Sequence, residues 1–185
     1  MAKLDSAQLA WTRKPSMFIL SDEKIILETE PFSSARSTVF SRTSAFGLYF
    51  EKSTPFEFSL RADFKFEKQE DECGIFLKAA DDRWIRFGLS LQKNDLDMAC
   101  DLYHAGTGDH SVVRLSSGIR WMYLKMNYWN GNVRFSYSFN GEKYTDMRWL
   151  DISSGRKPVQ AGFYACSPEE SSYDCTFTCM DIREI

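Results

Sequence analysis

From residue 24 onward apolar and polar side chains alternate with a period of two along most of the chain, and no stretch shows the 3.6-residue spacing of a long amphipathic helix. The alternation predicts strands over residues 24–29, 45–51, 56–66, 72–79, 83–91, 96–104, 110–115, 121–129, 133–139, 143–149, 159–166 and 175–182. Twelve short strands at near-regular spacing predict an all-β fold, a two-sheet antiparallel jelly-roll sandwich. Asn130-Gly131 and Asn140-Gly141 supply the positive φ that tight hairpin turns require, so 121–149 reads as a three-strand meander. Ser116-Ser117-Gly118 and Ser153-Ser154-Gly155 read as loops, and Ala80-Asp81-Asp82 is short enough for a hairpin.

Neighbouring strand residues point to opposite sides of a sheet, so the pattern also sorts faces. Ile85, Phe87, Leu89 and Leu91 form one apolar side, with Trp84, Arg86, Gly88 and Ser90 on the other. Met98, Cys100 and Leu102 are expected inward, Asp97, Asp101 and Tyr103 outward. Met122, Leu124, Met126 and Tyr128 likewise separate from Trp121, Tyr123, Lys125, Asn127 and Trp129. The outward surface is therefore expected to be polar with aromatics interleaved.

Composition narrows the class. The chain has 185 residues, 43% of them hydrophobic and 15% aromatic, which is enough apolar surface for one sandwich domain over residues 1–185. A formal charge of -3 with scattered basic residues gives no footprint for nucleic acid. No apolar run reaches the ~20 residues of a membrane span, and the N-terminal residues lack the apolar core of a secretory signal. The expected location is cytoplasmic. Five cysteines, an odd number, then read as reduced thiols packing as small hydrophobes. Cys175 and Cys179, four apart in a strand pattern, are expected to share a face, but with His104 and His110 as the only histidines no metal or other cofactor is expected.

Catalytic patterns are missing. No strand alternates acids in the manner of a jelly-roll glycosidase; Asp97 and Asp101 lie four apart, roughly 13 Å along a strand, too far for an acid and nucleophile pair. Asp109, His110 and Ser111 are neighbours in sequence with no nucleophile elbow, and 105–109 has no phosphate-loop string and reads as a flexible turn. What remains is a binding set. Aromatic rings can stack on a sugar while carboxylates and an arginine fork bond its hydroxyls, and Trp84, Arg86, Asp101, Tyr103, Tyr123 and Tyr164 supply those types if their strands adjoin on a concave sheet face. The plainer reading is cross-strand aromatic pairing. Arg86 beside Trp84 is either a stacked solvent-facing side chain or a bidentate clamp, and His110 a pH-sensitive contact at a loop edge.

The ordered succession Asp71-Glu72-Cys73-Gly74, Trp84-Ile85-Arg86-Phe87-Gly88, Gly108-Asp109-His110-Ser111, Tyr137-Ser138-Phe139-Asn140-Gly141, Arg148 and Gly162-Phe163-Tyr164-Ala165-Cys166-Ser167-Pro168 resembles a family of uncharacterised domains called regulation-of-enolase-like, or DUF1349. The match runs from about Trp11 to Ile182. It implies a jelly roll of the concanavalin A-like lectin and glucanase type and a cytosolic protein, one relative of which is linked to control of glycolytic enolase. Relatives usually carry Glu where this chain has Ser90, and Ser-Asp-Trp where it has Gly108-Asp109-His110. Ser90, Asp109, His110 and Arg148 thereby join the candidate set. The expected function is a non-catalytic binding module for a carbohydrate or small polar metabolite. The alternatives are a cytosolic glycoside hydrolase or lyase with carboxylates from separate strands, and a regulatory domain acting on a metabolic-enzyme partner.

Overall fold

The computed structural model describes residues 2–153 and 158–185; Ser154 and Gly155 of the expected loop lie outside them. In chain order the strands are β1 (Ala2–Lys3), β2 (Ala10–Arg13), β3 (Phe18–Leu20), β4 (Lys24–Glu28), β5 (Phe46–Lys52), β6 (Phe56–Asp63), β7 (Glu72–Ala80) and β8 (Arg83–Gln92). They continue as β9 (Asp95–His104), β10 (Thr107–Leu115), β11 (Trp121–Trp129), β12 (Asn132–Ser138), β13 (Thr145–Asp151), β14 (Val159–Cys166) and β15 (Asp174–Glu184). Every expected strand is present; β1 to β3, too short to show a period, are additional.

The strands form two antiparallel sheets, a jelly-roll sandwich. One has seven strands in the order β10-β9-β8-β7-β14-β5-β2; the other has eight, β13-β12-β11-β6-β15-β4-β3, with β1 also on β15. Between them lies an apolar core to which the inward rows contribute, including Ile85, Phe87, Leu89, Met98, Cys100, Leu124, Met126, Phe135, Phe163 and Phe177. The faces assigned by alternation hold in β8, β9 and β11 because each register is unbroken along these strands.

Local chemistry sets the turns. Asn130 and Gly131 take φ of 49° and 85°, closing the β11–β12 hairpin in two residues. The second Asn-Gly pair behaves differently. Only Gly141 has positive φ, and six residues separate β12 from β13, because the Asn140 carboxamide oxygen accepts the amides of Glu142 at 3.0 Å and Lys143 at 3.1 Å. Residues 105–109 are also more ordered than expected: the turn is Ala105-Gly106 alone, and β10 starts at Thr107. Cys175 and Cys179 do not share a face. A bulge between Thr178 and Asp181 places Met180 inward and leaves Cys179 exposed at φ 51°.

Residues 29–45, between β4 and β5, lie across the outward side of the seven-stranded sheet like a strap. Phe40 packs edge-on against Trp84 at 5.2 Å, and Ala35, Ala45, Phe76, Tyr164 and Cys166 complete a second, smaller apolar cluster there. The strap is pinned where Ser41 donates its amide (2.8 Å) and its hydroxyl (2.6 Å) to the Asp81 carboxylate, and where the Trp84 indole donates to the Ser37 carbonyl at 3.2 Å.

Candidate functional site

The register of β7, β8, β9 and β10 assembles a polar site next to the strap. Glu72 pairs with Ser90, Arg86 with Asp101, and Asp101 with His110, so four adjacent strands aim these side chains to one side. The Arg86 guanidinium lies between two carboxylates, one Nη donating to Glu72 and the other pairing with Asp101. All three residues are buried, at 5%, 3% and 4% exposure. The Glu72 oxygen bound by Arg86 also accepts the Tyr164 hydroxyl, while the second Asp101 oxygen is held by His110 Nδ1. Arg36 of the strap adds a cation on the far side, 2.5 Å from Glu70 and 3.6 Å from Glu72.

Two glycines make this possible. Tyr164 pairs with Gly74 on β7, which pairs in turn with Gly88 on β8, and a Cβ at position 88 would lie 2.7 Å from the Tyr164 hydroxyl oxygen. With hydrogens in place of two side chains, the phenol can lie across the sheet to reach Glu72.

Burial sets the electrostatics. It works against the Arg86 charge, but Glu72, and with it Asp101, outweighs that and holds the guanidinium above the ordinary arginine range. Burial, followed by the Glu72 charge, pushes the Tyr164 phenol well up, and burial raises Tyr103 against the opposing pull of Arg86. The Cys100 thiol on the inward side is pushed up to about 12 by burial, so it is an inert core group.

Above the network lies an open cavity of about 400 Å³, walled by Ser90, Gln92, Asp97, Tyr103, Gly108 and His110 with Arg86 and Asp101 in its lining. The sequence candidates divide around it. Arg86, Ser90, Asp101, Tyr103, Asp109 and His110 line it, and Tyr164 lies beneath, bonded to Glu72. Trp84 is 1% exposed, sealed by Phe40 and stacked on Tyr103 with centroids 4.9 Å apart, so it presents no ring to a ligand. Tyr123 belongs to the other sheet: β11 places it on the opposite surface, in a separate cleft with Glu57, Lys125, Tyr144 and Arg183. Arg148, on β13 of the same sheet, reaches back to pair with the Asp109 carboxylate and donates to the Cys100 carbonyl at 3.3 Å. The two expected orientations of Arg86 give way to a third, a clamp whose carboxylates are the protein's own.

Arg36, Glu72, Gln92 and Asp97 are site residues that the sequence does not single out as candidates. A signal for Glu72 exists. Folding 72–92 back about the Asp81-Asp82 turn pairs positions summing to 162, which sets Glu72 against Ser90 on the side of Arg86. Arg36 has no such signal, because the strap carries no period. Among the described residues no group of three or more His, Cys, Asp or Glu side chains is placed to hold a metal ion, and no helix is long and apolar enough to cross a membrane.

Comparison with known proteins gives consistent matches. Residues 11–185 match the model of DUF1349, a family described as protein of unknown function. The "Regulation of enolase protein 1" of Saccharomyces cerevisiae is 23% identical over 175 residues, covering 93% of this chain and 87% of that protein. A crystal structure of a functionally unknown protein from Saccharomyces cerevisiae superposes with a TM-score of 0.87 at 21% identity, covering 98% of this chain and 99% of that one. The GH43 protein BlXynB from Bacillus licheniformis superposes with a TM-score of 0.78 at 12% identity, and the match takes in 100% of this chain but only 38% of that longer one.

Proposed function

We propose that this chain, which belongs to the DUF1349 family, is a cytoplasmic binding module that takes a carbohydrate or another small polar metabolite in the cavity beside the strap and carries out no reaction on it. The observation that carries the reading is the buried Glu72–Arg86–Asp101 network flooring an open pocket. Such a network is a poor way to gain stability, since well-packed apolar residues of the same volume serve as well or better. Its place under a cavity of a size usual for small ligands, about 300–1,000 Å³, supports recognition instead.

The same network speaks against hydrolysis. An acid and a nucleophile or base must reach opposite sides of a glycosidic bond, whereas Glu72 and Asp101 are both engaged by one guanidinium. The likeness to BlXynB adds only the fold, as this chain spans 38% of it. A second reading, regulation of a metabolic enzyme by direct contact, is favoured by the name of the yeast relative that covers 93% of this chain.

An amide-resolved NMR titration against a panel of sugars and small polar metabolites tests the first reading. A ligand should shift residues of β8, β9 and β10 around the cavity, and His110→Ala, a change at an exposed side chain, should abolish the shift while leaving the spectrum folded. Silence of the cavity across the panel would sink the binding reading, and release of a cleaved product would replace it with the hydrolase or lyase. Calorimetry with purified enolase tests the second reading directly; absence of heat at tens of micromolar would remove that partner.

A further inference from the structure

Each charged side chain lining the cavity already has a counter-charge within the chain. Arg86 serves Glu72 and Asp101, Arg36 serves Glu70 and Glu72, Asp97 is 3.1 Å from Arg114, and Asp109 is paired with Arg148. The uncommitted capacity is of another kind. Among the described residues the Ser90 hydroxyl has one long contact, 3.4 Å from the Gln92 amide, whose oxygen is left over. The Tyr103 hydroxyl, in the lining beside Arg86, has a proton to donate and an oxygen to accept with. With Nδ1 turned to Asp101, His110 offers Nε2 to the cavity as an acceptor in its neutral form. Arg86 Nε is buried without a hydrogen-bond partner among the described residues, although its side chain lines the cavity.

From this pattern we infer that the ligand of the cavity is a neutral polyhydroxylated molecule, a monosaccharide or a single sugar unit, and not a phosphorylated or carboxylated metabolite. The inference rests on the binding reading above and narrows it. Hydroxyl groups both give and accept hydrogen bonds, which matches a lining of hydroxyls, an amide and an imidazole. A phosphate or carboxylate needs an uncompensated cation and here would meet Asp97, Asp101 and Asp109, while an ammonium group would meet Arg36 and Arg86. With Trp84 sealed and one side of Tyr103 covered by it, recognition rests on hydrogen bonds more than on ring stacking.

The test is a matched series: glucose, galactose, mannose and xylose against glucose 6-phosphate, glucuronate and glucosamine, each followed by NMR and calorimetry on the intact chain at low and high salt. A neutral sugar should bind in the cavity with an affinity unchanged by salt, and its charged counterpart should bind at least about tenfold more weakly because like charges meet. Gln92→Ala and Tyr103→Phe should each weaken the sugar while the fold, read by the same spectra, stays intact. A phosphate ester, uronate or amine that binds as well as the neutral sugar, or an affinity that falls with salt, would overturn this inference and leave the binding reading standing. If no member of either half shifts the cavity residues while other polar metabolites do, the sugar assignment alone falls; if nothing does, the binding reading falls with it.

Discussion

At the scale of single residues, Arg86 is the group on which the site turns, because two buried carboxylates share its guanidinium. Removing it by Arg86→Leu leaves both negative charges buried and should cost about 3–5 kcal/mol. In a chain of 185 residues that is a fall in Tm of roughly 6–20 °C by calorimetry. Replacing Glu72, Arg86 and Asp101 together with apolar residues of similar volume should leave Tm level or higher and abolish ligand binding. A triple variant as unstable as the single one would show that the network is there for stability, contrary to the proposal. The sequence allowed Arg86 and Asp101 to be chosen, since each is polar on a strand whose alternation points it outward, whereas His110 was read at a loop edge and joined the set through the family resemblance. Trp84 stacks on its cross-strand partner Tyr103, the plainer of the two expectations, and is lost as a ligand platform for a physical reason: alternation says which side a residue faces, but not whether a remote segment covers that side. Tyr123 was misplaced because a period along one strand is silent about which sheet the strand joins.

At the scale of elements, the strap of residues 29–45 decides what the outward face exposes. Its attachment at Asp81 carries a pH dependence whose sign follows from Ser41. The Ser41 hydroxyl, helped by its amide, holds the Asp81 carboxyl below its ordinary value of 3.8. A carboxyl depressed in the folded chain contributes its stabilisation above its unfolded value and loses it as pH falls through the folded one. The strap should therefore hold unchanged from neutrality to about pH 4 and loosen only below, and Ser41→Ala should move the Asp81 titration, followed by side-chain carbon NMR, up toward 3.8. A midpoint unmoved in the variant would remove Ser41 as the anchor. The strands themselves were legible because long alternating runs leave little choice of face. The strap was not, since its contacts are capping bonds and aromatic edges without a repeat, and the bulge at Cys179 shifts register with no local mark beyond the cysteine itself.

For the whole molecule, the sandwich places the cavity toward the border of its seven-stranded sheet. β8 is buried along most of its length between two neighbours, whereas β10 ends the sheet and is exposed at nearly every position. Backbone opening follows such differences. Hydrogen exchange should find the amides of β10 released much faster than those of β7 and β8, and Arg148→Ala, which cuts the tie from Asp109 to the opposite sheet, should speed β10 selectively. Equal rates in variant and parent would show that the tie holds nothing.

That edge strand has a further consequence. An exposed strand end is the place where one chain can add itself to another, and β10 also carries Val112 and Val113 at 46% and 38% exposure. Fraying at this border would also undo the cavity wall, because His110 lines the cavity only while β10 is in register with β9. A resident sugar would then act on the protein's sociability as well as on its own fate: by keeping the border zipped it would slow the pairing of stray edges, and a starved preparation should clump sooner than a fed one.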